Sequence, residues 1–199
     1  MKVSLSFEEE PFWHAAGWEK RQYYDRLQIR AAFAGKSFIE VPDEDYAEAL
    51  RIANAIKARD ESMSRVVGRN NFARDLEREG RVDAAVALYE LNLEEQFCAI
   101  FSFERLMVIY RKRKEYTQEI RVIEKAIAVF TVENMRRALH TIKYYPDRKE
   151  EILDAARRAE SVFDDENRRC IYGAYTDIHK WQQRLEKAKT LLEKMQRAT

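Results

Sequence analysis

Apolar and polar positions repeat along the middle of the chain with a period of 34 residues. A fixed period of this length is typical of stacked helical hairpins, because a single hairpin cannot bury its apolar face without a neighbour. The repeat predicts four helices, over about 64–79, 82–95, 99–114 and 116–130, with a tight turn at Gly80. The residues that fall into register are Phe72 with Leu106, Leu76 with Tyr110, Gly80 with Lys114, Val82 with Tyr116, Tyr89 with Ile123, and Asn92 with Ala126.

The segments on either side of the repeat show helical periodicity as well. Gly35 is expected to end the first helix of the chain, because glycine is common just past a helix C-terminus. Residues 36–41 are the only segment that could be extended. The sequence therefore predicts an all-α fold, a short right-handed helical solenoid with N- and C-terminal capping helices. The additional helices are expected over about 18–33, 43–56, 132–145, 147–163 and 166–195.

The two units between residues 66 and 130 resemble tetratricopeptide repeats. That family has apolar residues early in the first helix, glycine at the turn and a small residue where the helices cross. Gly80 and Ala85 fit this pattern in the first unit, whereas Lys114 and Glu119 stand at the same places in the second, and the family's terminal proline is absent from both. The resemblance implies a solenoid of tetratricopeptide-type hairpins. The other matching residues are Phe72, Ala73, Leu76 and Tyr89, then Leu106, Met107, Tyr110, Tyr116, Ile120, Ile123 and Ala126.

The chain is expected to have three parts. Residues 1–63 form an aromatic-rich N-terminal helical cap, with or without a degenerate repeat unit. Residues 64–130 hold the two tetratricopeptide-like units, and residues 131–199 form a C-terminal helical extension that ends in a long capping helix. The N-terminal aromatic residues are expected to form the core of the cap. The alternative is an exposed patch of Trp13 and Trp18 that seals a homodimer.

The resemblance also implies where a ligand would bind. The first helices of stacked hairpins line a concave groove that accepts an extended or helical segment of another protein. Arginines in such a groove can hold carboxylates through two parallel hydrogen bonds. The alternative is that these charges are solvated or paired with Glu77 and Glu104. The groove residues expected from the register are Asn70, Arg74, Arg78, Phe101, Arg105, Val108, Arg111 and Lys112.

These patterns favour a non-enzymatic protein–protein interaction module, acting as an adaptor, accessory or inhibitor subunit in a bacterial cytoplasm. The sequence contains no catalytic or phosphate-binding motif, and its three histidines have no metal-ligand spacing. We therefore expect no catalytic residue, cofactor or metal. Cys98 and Cys170 lie far apart and predict reduced thiols. No apolar run of about 18 residues is present, so no membrane partner is expected.

The uneven charge of the chain leaves a second function open. The formal net charge is +1, but residues 1–99 hold 14 Lys/Arg against 19 Asp/Glu (−5), and residues 100–199 hold 22 against 16 (+6). The alternative is that the chain is a nucleic-acid-associated protein of a defence or restriction system and binds nucleic acid through its basic C-terminal half. Its most basic run is 111–114, where four consecutive helical residues point in four directions and no aromatic is interleaved. A helix C-terminus, which favours positive charge, explains this run better.

A third function would be an all-helical ribonuclease centred on His140. The stretch from Arg136 to His140, RRALH, is similar to the Arg–His motif of the all-helical HEPN ribonucleases. That family places more residues between the arginine and the histidine than this chain does. The match therefore fails on spacing, and this function is the least favoured of the three.

Overall fold

The computed structural model describes residues 1–8, 10–95, 99–164 and 168–197. These residues are predominantly helical, as the sequence predicts, and they include four short strands. The helices are α1 (Arg21–Phe33), α2 (Asp43–Arg78), α3 (Val82–Glu94), α4 (Ile100–Lys112), α5 (Tyr116–Ile142), α6 (Lys149–Arg157) and α7 (Asp177–Arg197). The strands are β1 (Lys2–Ser4), β2 (Phe38–Glu40), β3 (Val162–Phe163) and β4 (Cys170–Tyr172), and short 3₁₀ helices lie at Pro11–His14 and Pro146–Arg148. Cys98 lies outside the described residues, and Cys170 is an exposed free thiol.

The chain divides into two compact units, unit 1 (Met1–Arg65) and unit 2 (Val66–Thr199), and the boundary falls within α2. α2 is one continuous helix of 36 residues. The sequence predicts two separate helices here, and that prediction is wrong. The stretch from residue 56 to residue 64, IKARDESMS, contains no proline or glycine, so nothing in it stops a helix.

Unit 1 is built on a core of aromatic side chains. Phe12, Trp13 and Trp18 are all buried in it. The expectation of an extended segment near residue 38 is confirmed, because β2 pairs antiparallel with β1. Since Trp13 and Trp18 are inside the core, the alternative of an exposed dimerisation patch made from them is wrong.

The turns after α2 and after α4 are closed in the same way, 34 residues apart. Gly80 follows α2 with a φ of 79°, and Lys114 follows α4 with a φ of 58°. The amide after each turn residue donates to a carbonyl in the last helical turn, that of Leu76 at 2.8 Å and that of Tyr110 at 2.9 Å. This is the hydrogen-bond pattern of a helix closed by one left-handed residue. The second turn therefore keeps its shape although lysine replaces glycine.

Most apolar residues that match the family pattern are buried, but Tyr116 and Ile120 are only partly buried and Phe72 is exposed. Ala73 and Leu76, three residues apart on α2, point into the core of unit 2. Phe72 lies on a different side of the helix and is 58% exposed. Phe72 therefore fits the family pattern by its place in the sequence but does not pack in the core of unit 2.

The C-terminal part of unit 2 departs from the predicted pattern of helices. α5 continues past Phe130 as a single helix to residue 142, because no proline or glycine interrupts it. α6 ends at Arg157, and β3 and β4 form a small antiparallel hairpin where helices were predicted. Ala159 has a φ of 52°, so the left-handed residue just beyond α6 is an alanine, which carries no turn signal in the sequence. The predicted start of the last helix at residue 166 lies outside the described residues.

α7 and Tyr175, which precedes it, pack along α5 through aromatic contacts. The centroid of the Phe130 ring lies 5.1 Å from that of Trp181 and 4.8 Å from that of Tyr175. The other side of α7 is polar and exposed, with residues such as Gln182, Gln183 and Glu186. α7 therefore buries an apolar stripe against α5 and presents a polar surface to solvent.

Candidate functional site

A groove of about 500 Å³ lies between α4 and α7 within unit 2. Met107 and Trp181 are buried, whereas Phe101 and Val108 are more accessible. The α4 residues recur at intervals of three and four, so they lie on one face of that helix. The groove thus combines an apolar surface with charged side chains. Its lining residues are Phe101, Glu104, Arg105, Met107 and Val108 from α4, and Lys180, Trp181 and Arg184 from α7.

Glu119 of α5 binds one arginine from each of the two helices that line this groove. Its side chain is 0% exposed, and it accepts hydrogen bonds from Arg111 Nε at 2.6 Å and from Arg184 Nε at 2.8 Å. Arg184 Nη2 also donates to the Met107 carbonyl at 2.7 Å. A buried carboxylate requires such partners, because an unpaired buried charge costs several kcal/mol. Arg111, expected to face a ligand, is instead part of this internal cluster.

Arg105 is held at the rim of the groove by Glu77 of α2. Arg105 Nε donates to Glu77 Oε1 at 3.0 Å, and the Tyr89 hydroxyl donates to the same oxygen at 2.8 Å. Burial acts to raise the pKa of the Glu77 carboxyl, but the hydrogen bonds from Arg105 and Tyr89 outweigh it and lower that pKa. Glu77 therefore stays ionised at neutral pH. The sequence left open whether the groove charges are paired with acidic residues, and Arg105 is indeed paired with Glu77. Only its Nη1 atom makes no hydrogen bond within the described residues.

Asn70 belongs to a polar network between helices. Its Oδ1 accepts from Asn92 Nδ2 at 2.9 Å and from Ser102 Oγ at 2.7 Å. Asn92 Nδ2 also lies 3.1 Å from Ser102 Oγ, and Arg69 Nη1 donates to Asn92 Oδ1 at 3.2 Å. These bonds join α2, α3 and α4. Because its oxygen is used in this network, the structure gives Asn70 a role in packing.

The three remaining predicted residues are exposed and lie outside the lining of the α4–α7 groove. Arg78 forms an ion pair with Asp75 on its own helix at 3.0 Å. Arg74 and Lys112 have no ion pair within the described residues, although the charge of Lys112 helps to lower the pKa of Glu77. The structure thus places Phe101, Arg105 and Val108 in one groove and leaves the exposed cations as separate features.

The residues of the ribonuclease hypothesis are engaged in local contacts. His140 is exposed, with its ring 5.4 Å from that of Tyr144. Arg136 binds Glu133 on α5. Arg137 donates to the Gly173 carbonyl at 2.9 Å and lies over the ring of Tyr175 at 4.7 Å. Both arginines thus make structural contacts within the chain. Ribonuclease activity stays a prediction.

The α7 residues of the groove were missed by reasoning from the sequence. Lys180, Trp181 and Arg184 lie far from the repeat, so its period does not reach them. One signal was present, because Glu119 stands where the repeat pattern expects a small residue. A carboxylate at a helix crossing needs a cation from a neighbouring element, and the amphipathic last helix, which carries Arg184, could have supplied it.

Within the described ranges, no three or more His, Cys, Asp or Glu side chains lie close enough together to hold a metal ion. No helix among the same residues is both long and apolar enough to cross a bilayer. A comparison with protein-family models, with curated proteins and with solved structures finds no match for this chain.

Proposed function

We propose that unit 2 is a non-enzymatic module that binds a segment of another protein in the groove between α4 and α7. The observation that supports this most is the composition of the groove. Phe101 and Val108 offer accessible apolar surface beside the buried Trp181, and charged side chains flank it. Interfaces combine an apolar centre with a polar rim in this way.

The tetratricopeptide resemblance supports the same proposal. The equivalent turns at Gly80 and Lys114 repeat the 34-residue period in the backbone, as stacked hairpins of that family would. In such a stack α7 takes the place of the next first helix beside α4. The bound segment would then lie along α4, with an apolar side chain over Trp181 and a carboxylate near Arg105. The module would act as an adaptor, accessory or inhibitor subunit in the cytoplasm.

Site-specific photo-crosslinking tests the location of the site. A photoreactive phenylalanine analogue is placed at Phe101 or Val108 in cells, and the control position is Ala128, which is exposed on α5. A specific adduct from the two groove positions and none from Ala128 is expected. The protein in that adduct is then purified, and its affinity for the chain is measured.

Substitutions of the apolar groove residues test whether the groove provides the binding energy for the crosslinked protein. Phe101→Asp with Val108→Asp should weaken binding of that protein at least tenfold, because apolar contacts at an interface centre dominate affinity. Ala128→Asp should leave binding unchanged. If Arg74→Glu with Arg78→Glu abolishes binding while the groove pair does not, the partner binds the outer face of α2 and the proposed groove is wrong.

A further inference from the structure

Helix α1 of unit 1 has one face that no other described residue of unit 1 covers. Its inner face packs into the aromatic core through Tyr24 and Ala31. At 100° per residue, the outer residues lie within about 120° of one another around the helix. Three of them are large and apolar or aromatic, with exposed fractions of 60% for Tyr23, 55% for Ile29 and 90% for Phe33. We call this set the α1 stripe, and it consists of Tyr23, Arg26, Ile29, Arg30 and Phe33.

The two cations of the α1 stripe pair with no acidic residue in the part of the chain that the structure describes. Arg26 and Arg30 are exposed, and neither forms a hydrogen bond or an ion pair within the described residues. The one acidic residue of α1, Asp25, is already paired with Arg21 at 2.8 Å. One helical turn separates the two free guanidinium groups, a rise of about 6 Å along the axis. The stripe therefore carries two positive charges on one face, and no acidic side chain of the described ranges pairs with either of them.

The aromatic side chains of the α1 stripe stand on either side of these charges. The Tyr23 ring packs against Tyr24 in a T-shaped arrangement, with 5.0 Å between the ring centroids, and Tyr24 is stacked on the buried Trp18 with 5.4 Å between theirs. Tyr23 is therefore packed against the aromatic core on one side only. Phe33 is the last residue of α1, and its ring is almost entirely in solvent. An exposed ring of this kind adds little to the stability of the fold, which leaves its face free to stack on a ligand.

We propose that the α1 stripe binds single-stranded nucleic acid without sequence preference. Such sites combine cations that follow the phosphates with aromatic rings on which bases stack. In the basic run at 111–114 the cations do not lie on one helix face and no aromatic residue stands between them. In the α1 stripe the cations share one face and aromatic rings flank them. From Tyr23 to Phe33 the stripe extends about 15 Å, which matches four or five bases stacked at about 3.4 Å. The proposal concerns unit 1 and is independent of the groove in unit 2.

The salt dependence of binding tests the role of the arginines. A fluorescent oligothymidylate of about 12 nucleotides is titrated with the full chain, and affinity is followed by anisotropy over a salt series. Arg26→Gln with Arg30→Gln should make the slope of log affinity against log salt shallower by about 1.4, since each phosphate contact to a single strand contributes about 0.7. The matched control is Lys187→Gln with Lys194→Gln, which removes the same charge from exposed positions of α7 and should leave the slope unchanged.

Leucine substitutions test stacking separately from apolar contact. Tyr23→Leu and Phe33→Leu keep an apolar side chain but remove the ring, and each should weaken binding about 5- to 150-fold if a base stacks there. Both positions are exposed, so circular dichroism at 222 nm should show the same helix content as the parent chain. The proposal is wrong if the parent chain does not bind the oligonucleotide at about 50 mM salt, or if the lysine control loses as much as the arginine pair. It is also wrong if both leucine variants bind like the parent, a result that would point to a protein on this face.

Discussion

Replacing Glu119 with alanine should destabilise unit 2 by about 3 kcal/mol. Removing one member of a buried ion pair generally costs about 3–5 kcal/mol, because the remaining charges are left without a partner. Here the stranded groups would be Arg111 and Arg184, whose side chains are 31% and 29% exposed. Because both can recover part of their hydration, we expect the lower end of that range.

Urea unfolding followed through Trp181 measures this loss in unit 2. The chain has three tryptophans, so a Trp13→Phe, Trp18→Phe background leaves the emission of Trp181 alone. With a denaturant slope of about 2 kcal/mol per molar urea, a loss of about 3 kcal/mol lowers the midpoint by about 1.5 M. Glu124→Ala is the control on the same helix. Glu124 is exposed and has no ion pair within the described residues, so its loss should change stability by less than about 0.5 kcal/mol.

A triple variant separates the cost of stranded charges from the cost of lost packing. Arg111→Leu, Glu119→Ala and Arg184→Leu together remove the whole cluster, and replacing all members of a buried ion cluster by apolar residues is often neutral. The triple variant should therefore regain most of the stability that Glu119→Ala loses. The reasoning is refuted if Glu119→Ala costs less than about 1 kcal/mol, or if the triple variant is less stable than the single one.

Three further predictions follow from the turns, from a buried acid and from the core. Lys114→Gly should raise stability in a thermal melt by up to about 1 kcal/mol, because a left-handed backbone is unfavourable for lysine, whereas Gly80→Lys should lower it by about as much. The hydrogen bond from Lys20, and after it the one from Tyr24, lower the pKa of the Asp45 carboxyl. The ionised carboxylate therefore stabilises the fold above pH about 4, and this stabilisation is lost as the pH falls through the folded-state pKa. Urea midpoints measured between neutral and acid pH should fall less steeply for Asp45→Asn than for the parent chain. Phe130→Ala should cost about 3–5 kcal/mol in urea unfolding, because the ring is fully buried against Trp181.

The sequence predicts the stretch from Gly80 to Tyr116 well because two signals agree there. Apolar spacing defines the helices, and the 34-residue period predicts equivalent turns. The structure has α3 and α5 beginning at Val82 and Tyr116, as predicted, and places left-handed residues at Gly80 and Lys114. Where only one signal exists, the prediction is weaker, because periodicity shows that a segment is helical but not where the helix stops.

The errors of sequence reasoning have the same physical origin. Two helices predicted on either side of residue 60 form the single helix α2, since a polar stretch without breakers can remain helical. β3 and β4 contain only two and three residues, too few to show an alternating pattern. The groove contact between α4 and α7 depends on residues 77 positions apart, Met107 and Arg184, and no local pattern connects them.

The link between Glu119 and Arg184 spans 65 residues of chain and has a consequence for synthesis on the ribosome. The hairpin of α4 and α5 leaves the ribosome long before α7 does, because chains emerge from the N-terminus. Until Arg184 appears, the carboxylate has only one of its two guanidinium partners. Nascent chains arrested before Asp177 should therefore hold this hairpin loosely and be cut there by protease, and full resistance should arrive only with the last helix.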